Sequence, residues 1–131
     1  QVELNNNEIM HADFVCIASG GFPKLQQFDW LKGTGHAIIS PVPSLFTFNM
    51  PGESIKELMG IVQEDAVVKI TGEKWTSDGP LLITHWGMSG PAILQLSAWG
   101  ARILEEKNYQ FSIFVNWLDE QKEENHECDV H

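Results

Sequence analysis

Eight consecutive residues, Thr84-His85-Trp86-Gly87-Met88-Ser89-Gly90-Pro91, form the densest grouping of polar and glycine positions in the chain. Imidazole exchanges protons near neutral pH, which makes His85 a candidate proton donor or acceptor. Gly87 and Gly90 let the backbone come close to another group. The stretch joins an apolar strand to the start of a helix, whose free N–H groups suit an anionic or carbonyl partner. The plainer reading of the same residues is structural: a tight strand-to-helix turn, with Ser89 as cap and His85 hydrogen-bonded locally. Ser89 does not make a hydrolase nucleophile. The serine elbow needs one residue on each side of the serine between glycines, whereas Gly90 follows Ser89 directly. No acid stands at a recognisable spacing to complete Ser89 and His85 as a triad.

Other groupings carry less. Gly33-Thr34-Gly35-His36-Ala37-Ile38 has the look of a dinucleotide loop, but Ile38 holds the third glycine position and no helix can run before Pro41. His126, Cys128 and His131 are three possible metal ligands within six residues. They fall in a polar terminal tail, and structural zinc needs four ligands held by a folded scaffold, so the expected metal content is none. Cys16 sits in an apolar run and is read as inert core.

The elements that must position these residues follow from periodicity and turn chemistry. Val2–Leu4 and Glu8–Ala12 flank Asn5-Asn6-Asn7, a hairpin signature. Phe14-Val15-Cys16-Ile17-Ala18 is an unbroken apolar run ended by Ser19-Gly20-Gly21, which predicts a strand covered on both faces. Residues 24–32 suit a short helix stopped by Gly33-Thr34-Gly35. His36–Ile39 and Leu45–Phe48 read as short strands, separated by Pro41-Val42-Pro43. Ser54–Leu58 reads as one helical turn capped by Ser54. Ala66–Thr71 and Leu81–Thr84 are β-rich, with Ser77-Asp78-Gly79-Pro80 as a turn between them. The best helix spans 90–106, opening at Pro91, with Ile93, Leu96, Ser97, Gly100, Ile103 and Leu104 on one face. Tyr109–Trp117 alternates, placing Phe111, Ile113 and Val115 on one side of a strand.

The fold class that results is α+β: a small barrel-like antiparallel or mixed sheet with one main helix. Of 131 residues, 43% are hydrophobic, enough to bury a core. Eighteen acids against eight bases give a formal charge of −10. Nucleic acid and anionic membrane surfaces repel such a chain, so neither is expected as a partner. No apolar run approaches the roughly 20 residues that span a bilayer. Half of the charge lies in Asp119–His131, where six acids and one lysine give −5; a short fraying helix is expected there. Two cysteines build no disulfide framework, and the start Gln1-Val2-Glu3-Leu4 carries no signal-peptide pattern, so a cytoplasmic location is expected. Gln1 opens within a strand-like stretch, which suggests a chain excised from a longer one.

Two stretches carry a resemblance. Phe14 to Gly21 resembles the apolar strand plus Ala-Thr-Gly-Gly element of two-dinucleotide-binding-type flavoproteins. Leu81-Leu82-Ile83-Thr84-His85-Trp86-Gly87-Met88-Ser89-Gly90-Pro91-Ala92 is similar to the Leu-Phe-Thr-His-aromatic-Gly-Leu-Ser-Gly-Pro-Ala segment of aminoacetone-oxidase-type FAD-binding flavoproteins, also labelled NAD(FAD)-utilising dehydrogenases. Gly35-His36 and Ser40–Leu45 look like that family's entry into an inserted domain, so the likeness covers about residues 8–118.

The resemblance implies an interior piece of a longer FAD-dependent oxidoreductase. Residues 1–22 would be terminal strands of the FAD-binding domain, 33–118 an inserted β-rich domain, and 119–131 an acidic tail. Ser19, Gly20 and Gly21 would take the place where backbone lies near the cofactor, Ser19 standing for the family's threonine. Beyond Gly21 this chain reads Phe22-Pro23-Lys24-Leu25 where the family has a second glycine- and serine-rich loop. Thr84, His85, Gly87, Ser89 and Gly90 would face flavin or substrate, none with an assigned catalytic role. The pyrophosphate loop is absent from this sequence, so FAD is expected only in the full-length parent and none bound to this piece. The partner would be the remaining FAD-binding domain, and an unpaired sheet edge would favour dimers. The alternative is a free-standing ligand- or protein-binding module with no redox role, whose five tryptophans and seven phenylalanines could line a binding face.

Overall fold

A computed structural model describes residues 1–22, 24–117 and 125–130, with backbone alone for residues 125–127. The chain forms two units, Gln1–Pro41 and Val42–His131.

The first unit is sparse. Strands β1 (Val2–Glu3) and β2 (Ile9–Met10) pair antiparallel across the asparagine turn. Asn7 adopts φ 62° there, and the Asn6 side chain accepts a hydrogen bond from the Glu8 N–H at 3.1 Å. A 3-10 turn over Leu25–Phe28 runs into the single-turn helix α1 (Asp29–Lys32), and Thr34 caps its end through Leu31 O. The expected strands at 14–18 and 36–39 are not formed. Phe14 is 94% exposed, and Val15, Ile17 and Ile39 are exposed with it. Apolar sequence alone does not make a strand. Its backbone needs a ladder partner, and these segments have none among the described residues.

The second unit holds a six-stranded antiparallel sheet in the order β3 (Phe48–Asn49), β6 (Gly87–Ser89), β5 (Thr76–Ile83), β4 (Val62–Ile70), β7 (Phe111–Asn116), β8 (Asn125–Val130). It curls into a nearly closed barrel. The α+β barrel-like class read from the sequence is the observed one, with no parallel pair in the sheet. Alternation along the strands buries Ala66, Val68 and Ile70 of β4, Leu81 and Ile83 of β5, and Ile113 and Val115 of β7. Helix α2 (Pro91–Trp99) packs against β5, β4 and β6, adding Ala92, Ile93 and Leu96 to that core.

Several local expectations are corrected. The Leu45–Phe48 strand shifts to β3, because Leu45 adopts φ 57° and turns out of line. Ser77-Asp78-Gly79-Pro80 is not a turn but the middle of β5, and the chain reverses at Thr71–Lys74 instead. Pro80 fits inside a ladder because β4 bulges opposite it. Gln63 pairs Leu81 and Ala66 pairs Gly79, so three steps on β4 oppose two on β5. Ser54 starts the 3-10 turn Ser54–Leu58 without capping it, Glu53 occupying the cap position.

The helix expected over 90–106 bends at Gly100 into α2 and α3 (Ala101–Glu106). Hydrogen bonds run on across the bend, from Gly100 N–H to Leu96 O and from Leu104 N–H to Gly100 O, both at 2.9 Å. The end of α3 is a Schellman motif, with Asn108 at φ 53° and the Tyr109 N–H donating to Leu104 O at 2.8 Å. The acidic tail is corrected most. Instead of a fraying helix, residues 125–130 form β8, paired along β7 from Phe111↔Val130 to Asn116↔Asn125. The earlier part of that tail lies outside the described residues.

Candidate functional site

The Thr84–Pro91 stretch is a β-hairpin turn followed directly by a helix. Leu82 pairs Ser89 and Ile83 pairs Met88, leaving His85-Trp86 as a two-residue loop closed by Thr84 and Gly87. Four hydrogen bonds tie that closing pair. Backbone bonds run from Thr84 N–H to Gly87 O (2.8 Å) and from Gly87 N–H to Thr84 O (3.3 Å). The Thr84 hydroxyl adds contacts to Gly87 O (3.1 Å) and Gly87 N–H (3.2 Å). Thr84 is thus a positioning residue for the loop.

The two glycines are used within the fold. A Cβ on Gly87 would lie 2.3 Å from Phe48 O and 3.0 Å from Met50 N. The bare glycine allows β3 to cross close over the hairpin, with Met50 N–H donating to Trp86 O at 2.8 Å. Gly90, at φ 99°, lies under β5, where a Cβ would meet Pro80 O at 2.7 Å. What the backbone approaches at both positions is neighbouring strand.

The helix start does not form an open anion cradle. Ala92 and Ile93 are fully buried, Pro91 has no N–H, and no side chain caps α2. Ser89 lies within β6 rather than acting as the cap. What the hairpin does present is its tip. His85 is exposed, Trp86 is 43% exposed, and their rings meet edge to face with centroids 4.1 Å apart. Thr84, Ser89 and Gly90 are half-buried beneath it, and Gly87 is buried. The arrangement can offer a solvent-facing imidazole and indole on a turn closed by four hydrogen bonds.

Residues 42–130 match the family model described as the HI0933-like protein barrel and H2TH domain. The chain belongs to the HI0933-like family. The matched residues hold the curled sheet β3–β8 together with α2 and α3. No curated protein matches the chain.

Ser19, Gly20 and Gly21 belong to the first unit, in an exposed loop where a Cβ on Gly20 or Gly21 would touch nothing within 4 Å. The two cysteines exchange expectations: Cys16 is exposed, while Cys128 is buried in β8 beside Ile113. Among the described residues no group of three or more His, Cys, Asp or Glu side chains could hold a metal, and no helix is long and apolar enough to cross a membrane. The side chains of His126 and His131 lie outside the described residues.

Sequence reasoning missed the apolar hollows of the barrel wall. One, of about 280 Å³, is lined by Ile55, Leu58, Ile61, Gln63, Ile83 and Trp117. It adjoins the hairpin through Ile83, whose N–H donates to Ile61 O and whose carbonyl accepts from Gly60 N–H. A second lies at the barrel seam. The signal for the first was in the exposed run Leu58-Met59-Gly60-Ile61-Val62, too polar-poor for an ordinary surface loop.

Proposed function

We propose that this chain serves as the substrate-side domain of an FAD-dependent oxidoreductase of the aminoacetone-oxidase type. The remaining FAD-binding domain of a longer polypeptide holds the cofactor, and the 131 residues are inactive by themselves. The observation that carries this reading is the HI0933-like match across the barrel, joined to an exposed His85-Trp86 tip on a hydrogen-bonded hairpin. Further support comes from the first unit. Ile9, Met10, Phe14, Val15 and Ile17 are all exposed, an apolar surface suited to cover by more chain or by a second copy at the β2 edge.

The residues present do not fit FAD as sole holders. Gly33-Thr34-Gly35 leads into extended chain rather than a helix, and the α2 start is closed by burial. The dinucleotide pyrophosphate needs a strand, a glycine turn and an open helix N-terminus. The domain's part is therefore to present His85 and Trp86 to bound substrate or cofactor from one side.

Titrating FAD into the chain while following flavin fluorescence should give no saturable change up to about 100 μM; saturation in the low micromolar range would remove the claim of dependence. The reading frame of the parent must also encode a Gly-x-Gly-x-x-Gly strand–turn–helix, and its absence would end the flavoprotein reading.

A further inference from the structure

The two edge strands of the barrel, β3 and β8, face each other with no ladder between them among the described residues. A side chain bridges the gap, the Glu53 carboxylate accepting from the Asp129 N–H at 3.3 Å. Aromatic rings occupy the rest. Phe48 meets Phe111 edge to face at 5.1 Å, and Phe46 meets Tyr109 edge to face at 5.8 Å. Beside them lies a hollow of about 220 Å³, walled by Phe46, Tyr109, Phe111 and Val130, with Thr47 and Asn49 as polar groups at its wall.

Three features of this hollow point to a ligand of one kind. Its lining is apolar apart from the Thr47 and Tyr109 hydroxyls and the Asn49 amide, the composition of a small-molecule site that orients a ligand by few polar contacts. Phe46, Tyr109 and Phe111 are only half-buried, and edge-to-face pairs leave ring faces free to stack a further ring. Tyr109, a bulky residue held at φ 59°, stands in its wall. That conformation costs on the order of 1–2 kcal/mol per residue and collects where side chains must be held in place. Asn108, also at positive φ, is accounted for by the helix end.

We propose that the β3–β8 seam is a binding site for one neutral, planar aromatic ring system bearing a single polar atom. No charged side chain lines the hollow, and the chain's −10 charge disfavours an anionic ligand. An apolar cavity of roughly 150 Å³ holds benzene, so the seam takes one ring or two fused rings. The asparagine amide and threonine hydroxyl bond the polar atom. This site is independent of the flavin reading.

Tyr109 is the chain's one tyrosine, so 3-fluorotyrosine labelling places a single ¹⁹F signal in the hollow. Titration of the labelled chain with indole should shift that signal saturably, with a dissociation constant near the millimolar range. Phe46→Leu, which keeps apolar bulk and removes the ring, should weaken indole at least tenfold with unchanged circular dichroism. If that variant does not fold, the exposed pair Thr47→Val and Asn49→Ala should weaken indole severalfold and leave toluene unchanged. A non-saturating shift would overturn the proposal. So would saturation by cyclohexanol at equal affinity, or unaltered indole binding in a folded Phe46→Leu chain or in the Thr47→Val, Asn49→Ala variant.

Discussion

Replacing Gly87 by alanine should break the barrel where β3 crosses the hairpin. The added methyl would sit 2.3 Å from Phe48 O and 3.0 Å from both Met50 N and Met50 Cγ. The first two of those are backbone, so rotamer changes cannot relieve them. Gly87 also lies at φ 155°, where a side chain costs on the order of 1–3 kcal/mol. Relief requires β3 to withdraw, which forfeits the Met50 N–H to Trp86 O bond and the Phe48↔Met88 pairing, each about 1 kcal/mol. The sum is about 3–5 kcal/mol, a large share of the ~5–15 kcal/mol typical of a domain. For a unit of this size the midpoint should fall by about 15–30 °C in a thermal melt followed by circular dichroism. Gly52→Ala, in the same unit with nothing within 4 Å of its Cβ, is the control and should stay within about 0.5 kcal/mol. A Gly87→Ala loss below about 1 kcal/mol, or an equal loss in the control, would refute the close-crossing account.

Ser97, fully buried, accepts from the Phe46 N–H at 3.0 Å and donates to Leu94 O at 2.8 Å. Ser97→Ala should cost about 1–3 kcal/mol in urea unfolding by orphaning that N–H; a change within error would place Phe46 N–H elsewhere. Thiol titration with an aromatic disulfide should find one fast group, Cys16, with Cys128 reacting only on unfolding. Two fast thiols in the native chain would remove β8 from the barrel. Because the His85-Trp86 tip is exposed, Trp86→Ala should alter stability by less than about 0.5 kcal/mol, measured in the same urea assay.

Much of this architecture was legible before any coordinates. Local rules place the asparagine hairpin, the Pro91 helix start and the in–out alternation of Phe111, Ile113 and Val115, because each depends on neighbours in sequence. The Thr84–Pro91 stretch stood out for the same reason. Its bland reading and its functional one then divided: the glycines and the helix start are absorbed by packing, and the exposed tip remains for chemistry. The hollow at the seam had no such signature, since Phe46 and Tyr109 are 63 positions apart and only barrel curvature joins them.

The sequence by itself settled the α+β class and the helix over the nineties, both set by short-range periodicity and turn chemistry. The fold alone decided which apolar or polar runs became strands. Phe14–Ala18, rich in apolar residues, stays outside any ladder, while acidic Asn125–Val130 enters one. A strand is defined by the hydrogen bonds of its neighbour, and β7 offered an open edge to the second segment. Gly79-Pro80 lies inside β5 for the same reason: a bulge on the opposite strand absorbed the missing donor, a fact written in β4 and not in the residues that turn-forming rules read.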